Sequence, residues 1–192
     1  MGISPIVPNV HRSQAEPRPP IEGAAFLAFC VTLLWLGGCS GPQPTPADGE
    51  RSRVASISDG DTLRLVDGRR IRLVQIDAPE RGVECFGDEA RAALAEIAPP
   101  GTSIVVEREP ALDDRDRFNR LLRTVLVGGR NVNLALVERG AAAPYFFRGG
   151  RGRGAAALLR AAERARAERR GLWGSCPAAR LRPTRAVDSG AP

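Results

Sequence analysis

The side chains able to do chemistry gather in one stretch, residues 59–80, which reads DGDTLRLVDGRRIRLVQIDAPE. It holds two acidic groups, Asp59-Gly-Asp61 and Asp77-Ala-Pro-Glu80, with Arg72 five residues before Asp77. A further polar cluster, Asp116-Arg-Phe-Asn-Arg120, follows downstream. Acids brought to one point repel one another unless a cation or ordered donors offset the charge. The single histidine, His11, lies ahead of the expected mature chain. That excludes a histidine-based triad and most zinc sites. Chemistry here must run on carboxylates, arginine and a hard metal ion, and a carboxylate is the only proton acceptor at neutral pH.

Something must bring these residues together. Residues 62–66 and 69–76 are rich in β-branched and apolar side chains, and Asp67-Gly68 between them is a strong two-residue turn signal. A hairpin there carries Asp61 and Asp77 to the same end of one sheet, with Arg72 on the second strand. Further strands are expected at 53–57, 103–107 and 121–127. Helices are expected at 88–97, with Asp88 as its N-cap, at 132–139 and at 155–170, closed by Gly171. Five strands with helices inserted and appended make an α+β chain that fits a five-stranded OB-fold β-barrel.

The order of motifs, DGDT, then R-x-x-x-x-D-x-P-E, then D-R-F-N-R, with G-L-W near the end, resembles the staphylococcal-nuclease-like (thermonuclease) family over about residues 53–173. The OB-fold is the fold of that family. The resemblance implies a calcium-dependent nuclease acting on DNA and RNA, in which water attacks in line and 3′-phosphate ends remain. It makes Asp61, Asp77 and the backbone carbonyl of Ala78 ligands of Ca²⁺, turns Glu80 toward the attacking water, and sets Arg72 and Arg120 on the phosphate. Asp59 reads as a turn former beside them. Asn119 stands where the family often has Gly, and Asn tolerates a left-handed backbone. Phe118 and Tyr145 are candidates to pack against a base; Phe146 could take that role, or these rings could be core. The alternative reading is an OB-fold lipoprotein that binds nucleic acid without cleaving it.

Composition agrees with a polyanionic partner. The net charge is +6, all 28 basic residues are Arg, and the sequence pI is near 10.3. The segment 148–154, RGGRGRG, could track a nucleic-acid backbone or form a loose loop.

Residues 1–39 read as a signal peptide. An apolar run at 24–36, too short to span a bilayer, is followed by Leu36-Gly-Gly-Cys39, which resembles a lipobox with Cys39 as the lipidated residue. An exported, membrane-anchored lipoprotein of the bacterial envelope is expected, its domain a monomer. Residues 40–52 form a Pro/Gly linker, 53–176 the nuclease-like domain, and 177–192 a disordered tail. Cleavage at Cys39 leaves Cys85 and Cys176 as one possible disulfide, which an oxidising compartment permits.

Overall fold

The protein is described by a computed structural model covering residues 49–192. The expected leader, the lipobox at Cys39 and most of the linker lie outside these residues.

Strand β1 (Glu50–Asp59) is long enough to serve two neighbours. Its first half pairs antiparallel with β5 (Ser103–Glu107), and its second half with β2 (Thr62–Leu65). Residues 50–52, expected in the linker, are therefore barrel strand, because β5 needs a partner that a strand beginning at residue 53 could not supply. From β2 the chain reverses at Asp67-Gly68 into β3 (Arg70–Leu73). Strand β6 (Leu121–Val127) pairs antiparallel with β5 and parallel with β3. That last pairing closes a five-stranded barrel, as the alternating pattern leads one to expect.

Alternation decides which side chains face in. Ile71 and Leu73 of β3 are fully buried, as are Leu63 and Leu65 of β2, whereas Arg70 and Arg72 point outward. Helix α1 (Gly87–Ile97) packs on β1 through Ala90 and Leu94, α2 (Val132–Glu138) packs on β6 through Val132 and Leu136, and α3 (Ala155–Ala167) packs on α2 through Leu158, Ala161 and Ala162. Asp88 falls in the first turn of α1 and not at its N-cap, which is Phe86 with no capping side chain. A single helical turn, α4 (Leu172–Ser175), buries Leu172 of the G-L-W motif.

The expected long strand 69–76 is broken, and the break shapes the site. Gln75 adopts φ 63°, so the chain turns off the barrel after Leu73. The turn is held by Val74 N–H on the Arg123 carbonyl (2.9 Å), Tyr145 N–H on the Gln75 carbonyl (2.9 Å) and Gly152 N–H on Gln75 Oε1 (2.7 Å). The chain resumes as β4 (Ile76–Asp77), paired with β8 (Ala143–Pro144) in a separate two-stranded ribbon. Between them runs β7 (Arg130–Asn131), a short extension beside β6.

Two segments are held more firmly than composition implies: 148–154, for which a loose loop is one of two readings, and 177–192, expected to be disordered. Residues 148–154 are tied down by Gly152 N–H on Gln75 and by Arg153 N–H on Glu109 Oε2 (2.9 Å). Residues 177–192 carry no helix or strand, as their composition implies, yet they are docked on the domain. Pro183 accepts a hydrogen bond from Phe146 N–H, and Val187 and Ser189 are buried. Backbone hydrogen bonds supply the ordering that a Pro-, Ala- and Arg-rich sequence lacks.

A candidate nucleic-acid-cleaving site

Asp61 enters the site from a turn. Asp59 pairs with Thr62 across β1 and β2, so Gly60-Asp61 is the two-residue connection of a second hairpin. Gly60 is required there, since a Cβ would lie 2.7 Å from Ala78 Cβ and 2.8 Å from Ala90 Cβ. Asp59 Oδ1 accepts the Gly60 N–H at 2.8 Å, the turn-forming part expected of it. Leu73 N–H bonds to the Asp61 carbonyl at 2.8 Å, which brings the end of β3 against this turn. The bend at Gln75 then swings Asp77 back toward Asp61.

The two acids meet on one guanidinium. Arg72 Nη2 lies 3.0 Å from Asp61 Oδ2 and 2.5 Å from Asp77 Oδ1, while Nη1 donates to the carbonyls of Leu73 (2.8 Å) and Ile76 (2.7 Å). Asp61 Oδ2 also accepts the Ala78 N–H at 3.0 Å. Its Oδ1 accepts the Thr62 hydroxyl at 2.8 Å, and Thr62 Oγ1 in turn accepts from Arg120 Nη1 at 3.1 Å. Arg120 Nε donates to Asp116 Oδ2 at 2.6 Å. Asp77, Arg72, Asp61, Thr62, Arg120 and Asp116 thus form one continuous row of polar side chains.

Asp116 and Thr62 are members of this row that the reading of the sequence did not single out. Asp116 Oδ1 accepts the backbone N–H groups of Phe118 and Arg120, both at 2.9 Å, and so folds the D-R-F-N-R segment into a turn. Aspartate bonding to amides two and four residues on is a recognisable turn signal that could have marked it. Asn119 takes φ 60°, the left-handed conformation expected of it. Burial opposes ionisation of Asp116, but hydrogen bonds from the Arg120 amide and guanidinium outweigh it and hold the carboxyl below its ordinary pKa.

The other acids shift the opposite way. Burial pushes Asp77 up to about 6, against the attraction of Arg72, with the charge of Asp61 adding to the rise. Asp59 is raised by burial, partly offset by the Gly60 N–H. Glu80 is raised by burial and then by Asp59, Asp61 and Glu84, while Arg120 opposes. These are the charges a group beside the row would feel. Glu80 is exposed and makes no ion pair among the described residues. Its loop is fixed from behind: the Glu80 carbonyl accepts from Val83 and Glu84 N–H, and its own N–H donates to Glu84 Oε2 at 2.6 Å.

Arg72, Asp77, Asp116, Phe118, Arg120 and Tyr145 line a cleft of about 590 Å³. Asp61 is buried behind the cleft wall, and Glu80 stands outside this part of it. Phe118 is 53% exposed, with the guanidinium carbons of Arg117 and Arg120 at 4.7 and 5.4 Å from its ring centre. Phe146 is in the core at 1% exposure, whereas Tyr145 and the exposed Phe147 both line the cleft, their rings edge-on at 6.4 Å. Cys85 and Cys176 are joined, with S–S 2.09 Å and Cα–Cα 5.9 Å.

The donor set suits a hard cation. Asp61 and Asp77 offer only oxygen, both converge on one cationic nitrogen, and Asp77 is a desolvated carboxyl that a positive charge would favour ionised. Among the described residues no third acid, histidine or cysteine completes a cage with them. Further ligands would come from backbone, water or substrate.

A closed five-stranded barrel bearing a row of acids and arginines beside a cleft defines an OB-fold domain. The chain belongs to the family described as staphylococcal nuclease homologue, whose model matches residues 70–175. It is 42% identical over 145 residues to Protein ParB of Escherichia coli, covering 67% of this chain and 76% of that one. A micrococcal nuclease of Shigella flexneri is 35% identical over 135 residues, covering 64% and 73%. An uncharacterized endonuclease of Haemophilus influenzae is 34% identical over 116 residues, covering 57% of each chain.

Proposed function

We propose that this chain is a calcium-dependent nuclease that hydrolyses phosphodiester bonds of DNA and RNA and leaves 3′-phosphate ends. The observation that carries the reading is the unbroken row from Asp77 through Arg72, Asp61 and Thr62 to Arg120 and Asp116, opening on a cleft with three exposed or half-exposed rings, Phe118, Tyr145 and Phe147. Relatives named as nucleases support it.

Each residue has a part that follows from its chemistry. Asp61 and Asp77, with the carbonyl of Ala78, would hold Ca²⁺, which when bound supplies positive charge to a phosphate oxygen. Arg120 presents its guanidinium to the phosphate from the opposite side of Thr62, held in direction by Asp116. A guanidinium stays charged throughout turnover and gives two parallel donors to phosphate oxygens, so it stabilises the charge that builds in the transition state. Arg72 now spends its donors on the two aspartates and two carbonyls. Its Nη2, which faces Asp61 and Asp77, is the donor that would turn to the phosphate once those carboxylates are otherwise engaged. Glu80, raised in pKa and without an ion pair among the described residues, accepts the proton of water as its oxygen bonds to phosphorus. The bond from phosphorus to the 5′ oxygen breaks, and that oxygen takes a proton from solvent. Phe118 and Tyr145 pack against the flanking bases.

We further place the protein outside the cytoplasm as a monomer, anchored through a lipidated Cys39. The Cys85–Cys176 bond supports an oxidising compartment. The test of function is direct. Purified protein is incubated with single-stranded DNA and with RNA in Ca²⁺, in Mg²⁺ and in chelator. Cleavage in Ca²⁺, weak cleavage in Mg²⁺ and none in chelator is expected, since Mg²⁺ demands near-ideal octahedral geometry. Full activity in chelator would remove the metal from the account.

A further inference from the structure

The segment after Cys176 is pinned at three places: Phe146 beside the cleft, Asp77 within the site, and Cys85. Phe146 N–H, next to Tyr145, donates to the Pro183 carbonyl at 2.6 Å. Val187 N–H donates to Asp77 Oδ2 at 2.8 Å. Ser189 Oγ donates to the Cys85 carbonyl at 2.7 Å, and Cys85 N–H donates to the Gly190 carbonyl at 2.8 Å. The segment therefore leaves the disulfide at Cys176, passes Phe146 and Asp77, and returns to the backbone of the other disulfide partner, Cys85. It is a loop anchored on one covalent bond at both ends. Leu181 packs against the core, while Val187 is 8% exposed and Ser189 1%.

The contact with Asp77 divides that carboxylate. Oδ1 faces Arg72, and Oδ2 is held by a backbone amide 110 residues away in sequence. A carboxylate gripped at one oxygen only can rotate about its last torsion; gripped at both, its plane is fixed. Groups that hydrogen-bond a metal-binding side chain in this way orient it, and their loss typically lowers metal affinity or activity about 10–100-fold.

We infer that residues 177–190 are a positioning strap for the site, and that Val187, through its main-chain N–H, orients Asp77 toward the cation. The inference rests on the reading of Asp77 as a ligand, and the experiment separates the two. Calcium affinity of the purified protein is measured by titration calorimetry with Ca²⁺ alone, and turnover with a single-stranded oligonucleotide. Val187→Pro removes the N–H, and a chain ending at Ala186 removes the whole contact. Each is expected to weaken Ca²⁺ binding at least about tenfold, to raise the Ca²⁺ concentration for half-maximal turnover by the same factor, and to leave kcat at saturating Ca²⁺ close to its original value. Val187→Ala keeps the amide and is expected to recover most of the affinity. Asp77→Asn is the companion. If it too binds Ca²⁺ unchanged, both the ligand reading and the strap are wrong. If Asp77→Asn loses Ca²⁺ while Val187→Pro and the shortened chain bind it as before, or more tightly, the strap alone is overturned.

Discussion

The position of Glu80 depends on a glycine seven residues later. A Cβ on Gly87 would lie 2.3 Å from the Glu80 carbonyl oxygen, 2.8 Å from its carbon and 2.9 Å from Arg81 Cα. All three are main-chain atoms, so no side-chain rotation relieves the overlap. Ordinary contact begins near 3.4 Å, so Gly87→Ala must move the backbone at Glu80 by about 1 Å. The same carbonyl accepts from Val83 and Glu84 N–H, and the whole 80–86 turn should shift with it. A misplacement of about 1 Å in a catalytic group costs roughly 10²-fold in rate, while overpacking costs about 1–3 kcal/mol of stability. Gly87→Ala should therefore lower kcat about 100-fold on single-stranded DNA at saturating Ca²⁺, with KM changed severalfold at most. Circular dichroism melts would show that the variant remains folded. A folded Gly87→Ala protein with the original kcat would refute the reasoning, because Glu80 could then not need its observed place.

Two further outcomes follow from the same geometry. Asp77 is raised from 3.8 to about 6, so the folded state binds its proton more tightly, and its contribution to stability is present below about pH 4 and lost as pH rises toward 6. Two units correspond to about 3 kcal/mol. Urea melts in chelator should show that decline, Asp77→Asn should flatten it, and an unchanged pH profile in Asp77→Asn would contradict the assignment. Reducing the Cys85–Cys176 bond, which closes a loop of 91 residues, should lower stability by up to about 4–5 kcal/mol and the melting temperature by on the order of 10 °C. A melt that is the same with and without reductant would argue against a bond in the exported protein.

The barrel was legible because its strands alternate cleanly: Ile71 and Leu73 inward, Arg70 and Arg72 outward, with Asp67-Gly68 marking the reversal. The two acid clusters each sit at or beside a turn with its own signal, whereas Arg72 and Arg120, two among 28 arginines, are marked only by their places in the motifs of the resembled family. What periodicity could not show is where a strand stops for tertiary reasons. Gln75 takes a left-handed conformation because Arg123, Tyr145 and Gly152 hold the main chain and side chain around it, partners up to 77 residues away. Residues 50–52 looked like linker because Glu-Arg-Ser has no strand pattern; they pair because β5 offers an unfilled edge. The docking of 177–192 was hidden more deeply. It depends on main-chain donors and carbonyls of a sequence with almost no apolar periodicity, and main-chain groups leave no trace in residue identity. Thr62 joins the row only through Arg120, 58 residues away, and Asp116 through the turn it folds, so neither role is carried by residue type alone.

Hydrolysis, and not binding alone, requires Glu80 and Arg120 to act at the scissile phosphate. The measurement that tests it is the single-turnover cleavage rate of Glu80→Gln and Arg120→Lys beside the affinity of each for the same single-stranded oligonucleotide. Glu80→Gln should cleave roughly 10²–10⁴-fold more slowly with affinity nearly unchanged, the range a positioned base supplies. Arg120→Lys should also be slow, because a point charge cannot replace the two-pronged guanidinium. Cleavage by both variants at the original rate would place the chemistry elsewhere on the molecule.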